Sequence, residues 1–192
     1  MSSHSFSSRM KKNHLDQFYT IEKCVENAVD QIDGILQHVT TTIDSSAGTN
    51  YFCKYLKSKY PNIKTISYDI DPPINCEGQV HKQDFLKLSK SQTNGVTLLG
   101  FNPPFGYRGV QAKKFIEHGI KVFYPDIIFM IVPNMISQSR YSGYDLILHE
   151  KLRANSFVIP DGTTFSFKCT LVCHSRISFD AFTSIPPNVQ TK

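Results

Sequence analysis

The sequence predicts a three-layer α/β domain on a mostly parallel sheet, and three observations predict it. Strand-like and helix-like segments alternate through most of the 192 residues, an order that places helices on both faces of a parallel sheet. The run Ile127-Ile128-Phe129-Met130-Ile131-Val132 is apolar at every position, as a central strand buried on both faces would be. Near the C-terminus Phe165, Phe167, Cys169, Leu171 and Cys173 alternate after a Pro160-Asp161-Gly162 turn signal, which predicts a C-terminal antiparallel hairpin.

Each element follows from local signals. Residues 1–15 read as a flexible basic tail without the apolar core of a signal peptide, residues 16–180 as one domain, and residues 181–192 as a loose tail. Thr20 is placed to cap a helix with the stripe Ile21, Cys24, Val25, Ala28, Val29 and Ile32, and Gly34 to end it. A strand over 38–43 runs into the turn residues 44–50, and 51–59 reads as a helix stopped by Pro61. Strands follow over 63–70 and 96–101, with a short one within 78–85. A helix over 111–118 precedes the apolar strand 127–132, and a further helix is expected over 145–152. Strands over 156–159 and 165–174 form the hairpin, completing a seven-stranded sheet.

Composition narrows the function. An apolar fraction of 40% and a charged fraction of 19% are those of an ordinary globular protein. No apolar run is long enough to span a bilayer, so an intracellular setting, cytoplasmic or nuclear, with no membrane partner is expected. The five cysteines are scattered and odd in number, which argues against a disulfide framework. Cys169 and Cys173 fall on one side of a strand with no second pair at ligand spacing, so no metal is expected. A net charge of +5 suits an anionic partner such as nucleic acid.

Two constellations carry chemistry, and both fall at predicted strand ends, where open α/β sheets bind ligands. In the first, the turn around Ala47 and Gly48 lets the backbone approach a ligand, with amides of the next helix close by. Asp69 ends the next strand 21 residues after Gly48, where an acid can accept hydrogen bonds from ribose hydroxyls. In the second, Asn102-Pro103-Pro104-Phe105 follows the strand 96–101. The prolines fix two φ angles and leave carbonyls free to accept. Asn102 offers a directional acceptor, and Phe105 a face on which a ring can stack. Acceptors from the Asn102 side chain and the Pro103 carbonyl suit the two protons of an exocyclic amino group such as that of adenine.

On these residues the chain resembles the amino-group methyltransferases of the class I S-adenosylmethionine fold, and among them the N6-adenine enzymes. Gln17-Phe18-Tyr19-Thr20 resembles the N-terminal cofactor motif of one subclass. The loop Asp44-Ser45-Ser46-Ala47-Gly48 resembles the one under the cofactor's methionine moiety. Asp69 and Ile70 resemble the ribose-binding segment, and Asp84 and Phe85 the segment at the cofactor's adenine. Asn102, Pro103, Pro104 and Phe105 match the catalytic motif in its adenine form. The resemblance spans about residues 16–174 and implies a three-layer, Rossmann-like class I methyltransferase fold, S-adenosyl-L-methionine as cofactor, and methylation of adenine N6 in nucleic acid. Asn50 stands where the family usually has a glycine; asparagine tolerates the left-handed backbone region better than other side chains.

DNA is slightly favoured as substrate by the Gln17–Thr20 match, while the lack of a target-recognition domain within the resemblance points toward RNA or a partner subunit. Tyr107, Arg108, Lys113, Lys114 and Arg140 are candidate nucleic-acid contacts. Two other readings stay open. One is protein glutamine methylation, whose motif usually carries Tyr at the position of Phe105; the other is a non-catalytic scaffold subunit, for which Asn50 is the support.

Overall fold

The computed structural model describes residues 18–159, 161–185 and 187–188. Among the described residues there are ten strands and five α-helices: β1 Tyr19–Thr20, α1 Glu22–Asp30, α2 Asp33–Leu36, β2 Thr41–Asp44, α3 Tyr51–Lys59, β3 Lys64–Asp69, β4 His81–Lys82, β5 Thr97–Gly100, α4 Val110–Phe123, β6 Ile127–Pro133, β7 Asp145–Lys151, β8 Phe157–Val158, β9 Thr164–Phe165, β10 Cys169–Ser175 and α5 Phe179–Ser184. Seven strands make the main sheet in the order β4-β3-β2-β5-β6-β10-β7. All are parallel except β10, which runs antiparallel to both β6 and β7. This is the class I methyltransferase fold.

The apolar run at 127–132 explains the layering. Ile127, Phe129 and Ile131 point into one core with Val29, Leu36, Phe52 and Leu56 from α1, α2 and α3. Ile128, Met130 and Val132 point into the other with Phe115, Ile116 and Phe123 from α4. Period-two alternation with both faces buried is what a central strand requires. Cys169 and Cys173 do share one face, inside the first core.

Three elements differ from the sequence expectation. Residues 145–151 are the edge strand β7, not a helix. Their apolar residues are too few to fix a period, and pairing with β10, from Lys151↔Thr170 to Asp145↔Ser175, decides the outcome. The predicted strands 156–159 and 165–174 are cut short: β8 pairs with β9 on one side and with β1 on the other in a separate three-stranded sheet. The antiparallel pair of the main sheet is instead β10 with β7, and Pro160 of the turn signal lies outside the described residues. Finally, Thr20 belongs to β1 and Ile21 takes the N-cap position of α1 without a side-chain hydrogen bond; pairing of Thr20 with Phe157 keeps it extended. Gly34 sits inside α2 and not at a helix end.

Strand order reverses between β2 and β5, because β2 pairs with β3 on one side and β5 on the other. That switch point opens a crevice at the carboxyl ends of the two strands, between Asp44 and Asn102.

Candidate active site

A cavity of about 650 Å³ fills this crevice, a size usual for small-molecule sites. Both sequence constellations meet there. Phe18, Tyr19, Thr20, Asp44, Ser46, Ala47, Gly48, Asp69, Ile70, Asp84, Phe85, Asn102 and Pro104 all line it. Pro103, Phe105 and Asn50 do not, and Gln17 lies outside the described residues. Tyr51 and Phe115 also line the cavity and carried no sequence signal of their own.

The cofactor-side loop is held from β3. The Gly48 N–H donates to Asp69 Oδ2 at 2.8 Å, and the Asp71 N–H donates to Oδ1 at 2.9 Å. Each carboxylate oxygen keeps a lone pair for a ligand. Gly48 has φ +52, and a Cβ there would lie 2.7 Å from Cδ1 of Tyr19, so only glycine lets the tyrosine ring cover the loop. Asn50 adopts φ 62 at the start of α3. Its side chain faces away from the cavity, donating to the Glu77 carbonyl and accepting from Ser67 Oγ at 2.7 Å. The residue in the usual glycine position therefore keeps the left-handed turn and anchors it. Asp84 accepts from the Leu86 N–H at 3.0 Å and caps the short turn 85–87. Phe85 is buried in the second core and stacks on Phe115 with centroids 5.5 Å apart.

The charge of the cavity has one sign. Asp44, Asp69 and Asp84 line it, and among the described residues no lysine or arginine does. Asp44 is 2% exposed; burial, and secondarily the charge of Asp69, raise its carboxyl to about 7, against the opposing Ser46 and Phe101 N–H donors. The Tyr19 hydroxyl is raised as well, by burial and then by Asp69 and Asp71.

The acceptor-side geometry centres on Asn102. Its Nδ2 donates to the Phe18 carbonyl at 2.9 Å. A carbonyl only accepts, so this bond fixes which way the amide faces. Among the described residues Oδ1 is then buried and without a partner, as is the Thr20 Oγ1. The Asn102 carbonyl accepts from Ser46 Oγ at 2.9 Å, tying the two loops together. Phe105 stands edge-on to Phe157 and Phe167, with centroids 5.8 and 6.0 Å away. It borders a void of about 10 Å³ shared with Phe18, Asn102 and Pro103, room for about one water molecule. Among the expected nucleic-acid contacts, Tyr107 is 83% exposed at the cavity rim, Arg108 and Arg140 are exposed, and Lys113 pairs with Glu117 at 3.7 Å.

Fold and crevice together define a class I methyltransferase domain. The chain belongs to the EDM2 methyltransferase-like domain family, which matches residues 35–170. A curated relative, Protein ENHANCED DOWNY MILDEW 2 of Arabidopsis thaliana, is 28% identical over 152 residues; the match takes in 74% of this chain and 12% of the relative. Among solved structures, PH1948 of Pyrococcus horikoshii, a presumed RNA methyltransferase, aligns with a TM-score of 0.61 at 14% identity, over 83% of this chain and 87% of that one. A type I restriction-modification methyltransferase subunit of Streptococcus thermophilus aligns with a TM-score of 0.57 at 14% identity, over 85% and 46%. Magnesium protoporphyrin IX methyltransferase of Synechocystis PCC 6803, solved with bound S-adenosylmethionine, aligns at 0.52 and 11% identity, over 81% and 79%.

Proposed function

We propose that this chain transfers a methyl group from S-adenosyl-L-methionine to the N6 amino group of adenine in a nucleic acid. The observation that carries the reading is Asn102 Oδ1, a buried acceptor without a partner among the described residues, held in place at the cavity by the Phe18 carbonyl. An amino group brings the donor this atom lacks, and the cost of leaving a buried acceptor unpaired favours a ligand that supplies one.

The cavity also fits the cofactor. The ligand carries positive charge at its sulfonium and amino groups and a net charge of +1, and among the described residues three carboxyl groups and no basic side chain line the space. When bound, it supplies an electrophilic methyl group. Asp69 would accept hydrogen bonds from the ribose hydroxyls, Asp84 and Phe85 would take the adenine, and the loop from Asp44 to Gly48 would hold the methionine end. Thr20 Oγ1, buried and unpaired at the cavity, is available to the same ligand.

On the acceptor side, the Asn102 side chain and the Pro103 carbonyl would each accept a hydrogen bond from the amino group, and Phe105 would give the base a stacking surface. The void beside Phe105 is too small for a base, so a target adenine enters only when neighbouring rings give way. A paired base would have to leave its stack as well, at a cost of a few kcal/mol. Adenines that are single-stranded, bulged or terminal are therefore the expected substrates, with DNA slightly favoured. Arg108, Lys114 and Arg140 would contact phosphates.

The test is the initial rate of labelled-methyl transfer to one sequence presented single-stranded and fully paired, as DNA and as RNA, at two salt concentrations. The expected result is a faster reaction on the single strand that weakens with salt. No transfer to adenine in any form, with the cofactor bound, would overturn the reading.

A further inference from the structure

The three-stranded sheet β1-β8-β9 stands apart from the main sheet, yet it touches both side chains that the catalytic motif offers to an acceptor. Phe18, whose carbonyl orients Asn102, precedes β1, which pairs with β8 through Tyr19↔Val158 and Thr20↔Phe157. The Phe18 ring is 8% exposed and meets Phe165 and Phe167 edge-on, with centroids 5.8 and 4.7 Å away. Phe105 meets Phe157 and Phe167 in the same manner. One of these rings contacts all four of the others. Phe167 lies 4.7 Å from Phe18, 6.0 Å from Phe105, 5.5 Å from Phe157 and 6.3 Å from Phe165.

The backbone around Phe167 makes this hub stiff. Its carbonyl accepts from the Cys169 N–H at 3.0 Å, and the Lys168 carbonyl accepts from the Asn134 N–H at 2.9 Å. The segment thus enters β10, whose residues are all buried, and is tied to the end of β6. A ring fixed to the rigid main sheet contacts, on its other side, Phe105, which faces the acceptor, and Phe18, whose carbonyl orients Asn102.

We infer that Phe167 is a positioning residue: it holds Phe18 so that the Asn102 amide keeps Oδ1 toward the acceptor, and it sets the edge-on angle of Phe105. The inference rests on the acceptor role proposed for Asn102. Edge-to-face ring contacts prefer a defined geometry, whereas an aliphatic side chain fills space without fixing an angle. Replacing the ring by leucine keeps apolar volume and removes the angular constraint.

The experiment uses the full chain and two readouts. The first is the Asn102 side-chain NH2 signal in a nitrogen-proton spectrum, assigned by its loss in Asn102→Asp. Its exchange with water should be slow in the unaltered protein, faster in Phe167→Leu and slow again in Phe167→Tyr. The second is methyl transfer from labelled cofactor to a single-stranded adenine-containing oligonucleotide, alongside cofactor affinity by calorimetry. In Phe167→Leu, kcat should fall by up to about 100-fold, the effect of a small displacement at a reacting centre, while cofactor affinity stays within about twofold. Phe167→Tyr should restore kcat.

An unchanged Asn102 signal in Phe167→Leu overturns the inference, as does a loss of kcat matched by an equal loss of cofactor affinity. Failure of tyrosine to rescue the Asn102 signal also overturns it. If instead Asn102→Ala still transfers methyl groups, the acceptor role of Asn102 falls. The NH2 signal then still reports whether Phe167 orients that amide.

Discussion

The two halves of the crevice are built by different means. The cofactor half rests on parallel neighbours: Asp44 ends β2, Asp69 ends β3, and the Gly48–Asp69 bond joins the end of one strand to the loop of the next. The acceptor half depends on a contact between residues 84 apart, Asn102 with Phe18, and on aromatic rings from a separate sheet. The cofactor half presents carboxylates and backbone N–H groups. The acceptor half presents one orphaned amide oxygen among phenylalanines. A charged ligand needs oppositely charged groups placed by rigid strand ends, while a flat, weakly polar acceptor needs a directional acceptor and apolar surface. Loss of a group in one half should leave the other half working, and that independence can be broken experimentally.

The largest expected effect is at Asn102. Asn102→Ala should lower kcat by about a hundred- to a thousandfold, as removal of one preorganised polar group from an active site does. Cofactor affinity by calorimetry should be nearly unchanged. Equal loss of both would show that the halves are not separable.

Asp69→Ala is the counterpart in the cofactor half. It removes the acceptor proposed for the ribose and strands the Gly48 and Asp71 N–H donors. Cofactor binding should weaken by about 1.5–3 kcal/mol, the range for hydrogen bonds to a charged group, with kcat at saturating cofactor little altered. Unaltered affinity in a titration would remove Asp69 from the site.

Gly48→Ala asks whether the cover supplied by Tyr19 matters. The new Cβ meets the Tyr19 ring, and the left-handed conformation alone costs about 1–2 kcal/mol for a residue other than glycine. A weaker cofactor affinity is expected, together with a lower thermal midpoint. A change in the midpoint with unchanged affinity would mean that the ring covers the loop without touching the ligand.

The smallest effect is a pH dependence from Asp44. Its carboxyl is raised from 3.8 to about 7 in the folded protein, chiefly by burial. The folded state therefore holds this proton more tightly than the unfolded chain, and the contribution to stability is lost as pH rises from about 4 to about 7 and is flat above. A cationic ligand beside Asp44 favours the ionised form, so its affinity should rise about tenfold between pH 6 and pH 8. Asp44→Asn should flatten both profiles. Proton release on binding, measured in buffers of different ionisation enthalpy, checks the same linkage.

Much of this molecule was legible in the residues. The apolar run at 127–132 required a strand buried on both faces, and the helix at 51–59 needed only its own pattern and Pro61. The turn at Gly48 and the acid at Asp69 could be paired by their spacing along one strand-helix-strand unit. Asn102 was identifiable by the two prolines beside it. These are local signals, each complete within about two dozen residues, so the chain order states them outright.

Tertiary structure decided what depends on partners distant in sequence. Residues 145–151 became a strand because β10 offered them a ladder, and Thr20 became part of a strand because Phe157 lay opposite. Asn50 proved to be an anchor for residue 77 and not a cavity residue, since its side chain found Glu77 and Ser67. The sequence placed Phe105 in the catalytic motif and Phe165 and Phe167 in a strand, with nothing to join them, but packing gathers Phe18, Phe105, Phe157 and Phe165 around Phe167 beside Asn102. Periodicity and capping act within a segment, whereas strand pairing and ring packing are satisfied only when the whole chain has closed around them.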